Sequence, residues 1–159
     1  MLAPYPCLSP PEVIAPPITA ESLKIGAVEA DQWYGTDEAL GPCWVGQDGY
    51  RCRHGYRRID LRIRGLNGRQ KRLSTHILAW LLDQLGPMER DELFLAYLEF
   101  RASGLQLDHL CDEPACRRPS HLNPCTQSEN IRAGKERAYQ RNLTRAVEHY
   151  EPEPSEVEF

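Results

Sequence analysis

Along residues 59–64 apolar and polar positions alternate, with Ile59, Leu61 and Ile63 on one face and Asp60, Arg62 and Arg64 on the other. That period of two is the pattern of a strand buried on one side only. Asn67-Gly68 follows, a dipeptide suited to a two-residue hairpin turn, and residues 69–73 return as the partner strand. The period then lengthens. Ile77, Leu78, Leu81, Leu82 and Leu85 recur at helical spacing, behind a Ser74 or Thr75 cap and ahead of Gly86-Pro87 as a stop. A second short helix fits 91–102, with Phe94 and Leu98 one turn apart and Gly104 as terminator. Residues 105–110 read as another strand, and a proline-rich loop dense in cysteine and histidine comes next. The capping box Thr126-Gln-Ser-Glu129 opens a last helix that runs to about Val147 and presents Arg132, Lys135, Arg137, Arg141 and Arg145 to solvent. No internal repeat is visible. The pattern predicts a small α+β domain.

With 159 residues, 41% of them hydrophobic, the chain can build one modest core and has no room for a second enzymatic domain. Six prolines by position 17 mark residues 1–20 as an extended arm. The folded part is expected over 21–147. Residues 148–159 carry Glu148, Glu151, Glu153, Glu156 and Glu158 with little apolar material, and are expected to be a disordered acidic tail. The longest apolar run, 77–82, falls far short of the roughly 20 residues of a membrane span, and no signal peptide is visible. Six cysteines without an export signal point to a reducing, cytoplasmic setting, where thiols bind metal more often than they form disulfides.

The net charge of −4 alone argues against a nucleic-acid partner. Its distribution reverses the argument. Residues 51–72 hold nine basic side chains (Arg51, Arg53, Arg57, Arg58, Arg62, Arg64, Arg69, Lys71 and Arg72) against one acid, Asp60, a local charge of +8 that leaves −12 for the remainder. A basic hairpin of this density suits a phosphate backbone.

The chemistry concentrates in residues 107–130. Cys111, Cys116 and His121 are each separated by four residues, and thiolate with imidazole is the ligand set of a closed tetrahedral zinc site. Pro114 and Pro119 stiffen the loop. The spacing leaves two cysteines for the fourth position, Cys43 in Gly-Pro-Cys-Trp44 and Cys125. Asp108-His109 stands just ahead of Cys111, and Asn130 falls in the first turn of the capped helix. A neutral histidine suits activation of water, while carboxylate and amide oxygens suit a hard cation such as Mg²⁺. A structural Asp-His pair and an ornamental asparagine would share the same spacing. Cys7 and Cys52 have no partner pattern and read as free thiols, Trp33, Trp44 and Trp80 read as core, and His76 at a helix start reads as structural.

The run Asp108-His109-Leu-Cys111, Cys116, Pro119-Ser-His121-Leu122, Thr126 and Asn130, with the upstream Cys43-Trp44, Gly49-Tyr50 and His76, resembles the HNH endonucleases. It is similar to their zinc-bound subgroup, related to His-Cys box homing endonucleases, over about residues 41–137. The resemblance implies a small ββα-metal nuclease core with a basic hairpin, a structural zinc loop and flanking helices. It implies His109 as general base, and Asn130 with Asp108 as ligands of a catalytic Mg²⁺ or other divalent cation. It implies structural Zn²⁺ on Cys43, Cys111, Cys116 and His121, Cys43 being preferred to Cys125. Double-stranded DNA would be the partner, touched by Arg57, Arg58, Arg62, Arg64, Arg69, Lys71 and Arg72, and double-strand cutting would call for a homodimer. A zinc-stabilised DNA-binding module without catalysis is the competing expectation. Three departures from the family pattern stand out: His76 precedes Ile77 rather than arginine, residues 89–103 look inserted, and 50–56 is longer and more basic.

Overall fold

The alternating segment forms the centre of a three-stranded antiparallel sheet, in the order β1 (Tyr50–Arg51), β2 (Arg57–Arg62), β3 (Gln70–Ser74). The computed structural model describes residues 16–23, 25, 40–45, 50–63 and 69–149. In the β2–β3 register Ile59 pairs with Leu73 and Asp60 with Arg72. Leu61, Ile63 and Leu73 are buried, while Arg58, Asp60, Arg62 and Arg72 stay on the wet face. The strand therefore begins two residues earlier than its periodicity predicts. Arg64 and the Asn67-Gly68 turn lie outside the described residues.

Helix α1 (Thr75–Leu85) covers the apolar face of this sheet. Ile77, Leu78, Leu81 and Leu82 are buried in one cluster with Leu61, Ile63 and Leu73. Each such side chain contributes about 1.5–3 kcal/mol of transfer free energy. Thr75 donates its hydroxyl to the Arg57 carbonyl at 3.2 Å, which locks the helix start onto β2. Gly86 ends the helix at φ +82°, a conformation that favours glycine. Leu85, the last apolar position predicted for this helix, is 59% exposed.

Helix α2 (Arg90–Ala102) opens with a Glu89–Glu92 capping box and buries Leu93 and Phe100, seven residues and so nearly two full turns apart. Leu98 is exposed, being about 140° around the helix from Leu93. Phe94 is only partly buried. Ile18 forms a backbone bridge with Met88 and is itself buried, so the chain joins the core three residues before Glu21.

The second sheet is a hairpin of β4 (Leu105–His109) and β5 (Leu122–Thr126), antiparallel, with Leu105 opposite Thr126 and His109 opposite Leu122. The cysteine–histidine loop spans between them and closes with a 3-10 turn, Pro119–His121. Helix α3 (Gln127–Glu148) follows with the expected capping box on Thr126 and Glu129. The whole is α+β, and strand, strand and helix in its second half form the unit that holds the site. Residues 1–15 of the proline-rich arm and 150–159 of the acidic tail lie outside the described residues, as do Cys7 and Trp33. Among the described residues no helix is long and apolar enough to cross a membrane.

Candidate metal centre and active site

Four buried side chains converge beneath the β4–β5 hairpin. One ligand atom each from Cys43, Cys111, Cys116 and His121 lies within 4.8 Å of the other three. His121 Nδ1 is 3.5 Å from Cys116 Sγ and 3.7 Å from Cys43 Sγ. In a tetrahedron with Zn–S about 2.3 Å and Zn–N about 2.0–2.1 Å the S···N edge is about 3.6 Å. The other ring nitrogen, Nε2, donates to the Leu40 carbonyl at 2.7 Å, leaving the Nδ1 lone pair turned toward the thiols. Cys116 is held below the usual thiol range, chiefly by the hydrogen bond from Cys111. This is a Cys3His site compatible with structural zinc.

The upstream segment that brings Cys43 is fixed at several points. Trp44 offers its carbonyl to the Arg117 amide at 3.1 Å, and Arg118 donates to the Pro42 carbonyl at 2.8 Å. The Arg118 guanidinium also lies over the Trp44 ring at 5.8 Å. From the other side, the turn Cys52–Gly55 presses on Pro114. A Cβ on Gly55, at φ +87°, would meet Pro114 Cγ at 2.7 Å, so only glycine permits this approach. Cys125 sits in β5 opposite Gln106 and is not in the cluster.

His109 ends β4, two residues before Cys111. Its Nε2 lies 3.1 Å from the Cys116 carbonyl, so Nε2 carries the proton that is donated and Nδ1 keeps a lone pair. Burial pushes its pKa down to about 4, against opposing contributions from that carbonyl and Asp108, so the ring is neutral at neutral pH. The ring packs 5.0 Å from His76 and 5.7 Å from Tyr56. His76 is buried, with Nδ1 lacking a hydrogen-bond partner, and its pKa is pushed down to about 3 by burial, then by His109, Arg101 and Arg58. His76 and Tyr56 line a cleft of about 260 Å³, together with His54, Arg58, Arg101 and Asn130. Asn130 donates Nδ2 to Gln106 Oε1 at 3.1 Å, which leaves its amide oxygen as an acceptor. An amide oxygen of this kind fits a hard divalent cation that retains several waters.

Asp108 does not join His109 and Asn130. Neighbours on a strand point to opposite faces, and Asp108 is directed at α3, where Arg137 grips it through two hydrogen bonds of 2.6 and 2.8 Å. Arg137 also reaches Asp112 at 2.7 Å, and Arg141 pairs with Asp112 as well. The expectation that Asp108 shares a cation with Asn130 therefore meets a carboxylate already occupied by a guanidinium. Arg137 and Arg141, expected in solvent, are instead engaged with Asp108 and Asp112. Of the basic hairpin, Arg58, Arg62, Arg69 and Lys71 are exposed. Arg72 is tied to Asp60 at 3.0 Å and lies over the Tyr50 ring, and Arg57 is half-buried.

Three contributors carried no signal in the sequence: Gln106, which orients Asn130; Tyr56, which flanks His109; and the Leu40 carbonyl, which sets the His121 tautomer. Only the period of two, which puts Gln106 and Asp108 on the α3 face of β4, could have indicated the first. Trp80 packs against the core, its ring 5.4 Å from Phe100, and Trp44 belongs to the metal loop.

A family model described as the zinc-binding loop region of homing endonuclease matches residues 42–147. No curated protein and no solved structure matches the chain.

Proposed function

Since the chain belongs to the family of the zinc-binding loop region of homing endonuclease, we propose that it is a metal-dependent DNA endonuclease that hydrolyses phosphodiester bonds. The observation that carries this reading is the hydrogen bond from His109 Nε2 to the Cys116 carbonyl. It leaves an imidazole with a free Nδ1 lone pair packed on His76 and Tyr56, which line the cleft that holds Asn130 and two arginines. Nδ1 takes a proton from water as that water forms its bond to phosphorus. The 3′ oxygen leaves with the electron pair of the broken P–O bond and is protonated by solvent. The Cys116 carbonyl stabilises the imidazolium so formed. Asn130 would hold a divalent cation, which would supply charge neutralisation for the phosphate and the departing oxygen.

Cys43, Cys111, Cys116 and His121 would hold a structural zinc that fixes the loop between β4 and β5. The wet face of the first sheet, with Arg58 and Arg62, would lie against the duplex. Asp108 is assigned to Arg137 rather than to the cation.

Nicking of supercoiled plasmid tests the reading. Cutting is expected with Mg²⁺ or Mn²⁺ and not without, and His109→Ala should lower the rate by about 10²–10⁴ at unchanged zinc content. Asn130→Ala should lose activity and regain part of it at high Mg²⁺. DNA binding without cation-dependent nicking would leave a zinc-stabilised binding module. Near-normal cutting by His109→Ala, free of contaminating nuclease, would overturn the mechanism.

A further inference from the structure

Helix α2 ends at the rim of the cleft beside His76 and Asn130. Its last-turn Arg101 is exposed and lines that cleft with Arg58 of β2 and His54, and no carboxylate lines it. Among the described residues neither Arg58 nor Arg101 forms an ion pair, in contrast to Arg72, Arg137 and Arg141. The position of Arg101 is fixed on both sides. Phe100 is buried against Trp80, Ser103 donates its hydroxyl to the Phe100 carbonyl at 2.7 Å, and Gly104, at φ +77°, turns the chain directly into β4. At about 260 Å³ the cleft is below the roughly 300–1,000 Å³ of small-molecule sites, so it suits one phosphodiester with its sugar rather than a whole small ligand.

Two guanidiniums facing one acid-free recess make an anion site, and their planar forks match phosphate oxygens. We propose that Arg101 and Arg58 clamp a backbone phosphate of the strand that lies over His109 and Asn130. Arg101 is then a substrate-binding residue supplied by α2. The assignment rests on the nuclease reading for the path of the strand.

Equilibrium binding of a short duplex by the full chain, in buffer without added divalent cation, separates the two. Arg101→Ala should weaken binding several-fold at about 0.1 M salt and lower the slope of log K against log salt by up to about 0.9. Arg101→Lys, which keeps the charge and loses the fork, should keep the slope and raise KM for nicking. Arg90→Ala removes the same charge about 16 Å away along α2 and should change neither. Both positions are exposed, so melting temperatures should match the parent. A parental slope in Arg101→Ala, an equal loss in Arg90→Ala, or no DNA binding by the parent overturns the clamp. If the parent binds but never nicks, while Arg101→Ala still lowers the slope, the clamp stands and the hydrolase reading falls.

Discussion

His109 sits between two aspartates that one arginine holds together. Arg137 grips Asp108 on one side and Asp112 on the other, and Asp112 occupies the left-handed region at φ +56°, a strained position for a residue with a Cβ. The pair Asp108–Arg137 therefore sets the aim of the strand end that carries His109. Asp108→Ala should cost about 2–4 kcal/mol, somewhat below a fully buried pair because Arg137 retains 23% exposure. A melting temperature lower by on the order of 10 °C would register it. The Mg²⁺ concentration for half-maximal nicking should stay the same; a large rise would return Asp108 to the cation. The positions of His109 and Asn130 were legible in the sequence because each is fixed by a neighbour, His109 by Cys111 and Asn130 by the capping box. Asp108 was not, since adjacency along a strand suggests a shared site while the pleat sends the two side chains apart.

Elements with strong periodicity read correctly. α1 runs from its expected cap to its expected glycine, and α3 starts at the expected box. β5 did not declare itself. Leu-Asn-Pro-Cys-Thr has turn composition, yet Pro124 pairs opposite Leu107, where a strand with only one neighbour tolerates a residue that cannot donate. α2 was found, but its buried face was misread, because Leu93 and Phe100 carry the packing and Leu98 does not. On the three-stranded sheet the wet face divides its cations into engaged and available ones. Arg62→Ala should reduce the salt slope of DNA binding by up to about 0.9, and Arg72→Ala by clearly less, since Asp60 already holds that guanidinium. Equal effects of the two substitutions would show that the Asp60 pair opens on DNA and that both arginines reach phosphate.

Across the molecule the metal cluster joins residue 43 to residues 111–121. Closing so long a loop removes on the order of 4 kcal/mol of chain entropy from the unfolded state, by analogy with a disulfide of similar span. Cys43→Ser should therefore lose zinc and lower the melting temperature of the whole domain, whereas Cys125→Ser, on β5 and outside the cluster, should keep full zinc content. Metal analysis of the two variants decides it; loss in Cys125→Ser with retention in Cys43→Ser would overturn the ligand set. Local spacing exposed three of the four residues, because they fall within one loop. The fourth lies 68 positions before Cys111, and nothing in the local pattern separates it from Cys125. The family resemblance named it, and the hydrogen bonds of residues 40–44 with Arg117, Arg118 and His121 explain how it gets there.

Cys116 faces two ways. Its sulfur belongs to the metal cluster and its carbonyl receives the His109 hydrogen bond, so a single residue joins the cluster to His109. Thermodynamic reciprocity then applies: whatever factor zinc adds to the affinity for DNA, DNA must add to the affinity for zinc. Zinc competition on the DNA-bound protein should give a tighter value than on the protein alone, and His109→Ala should narrow that gap, because the bond carrying the message has been cut.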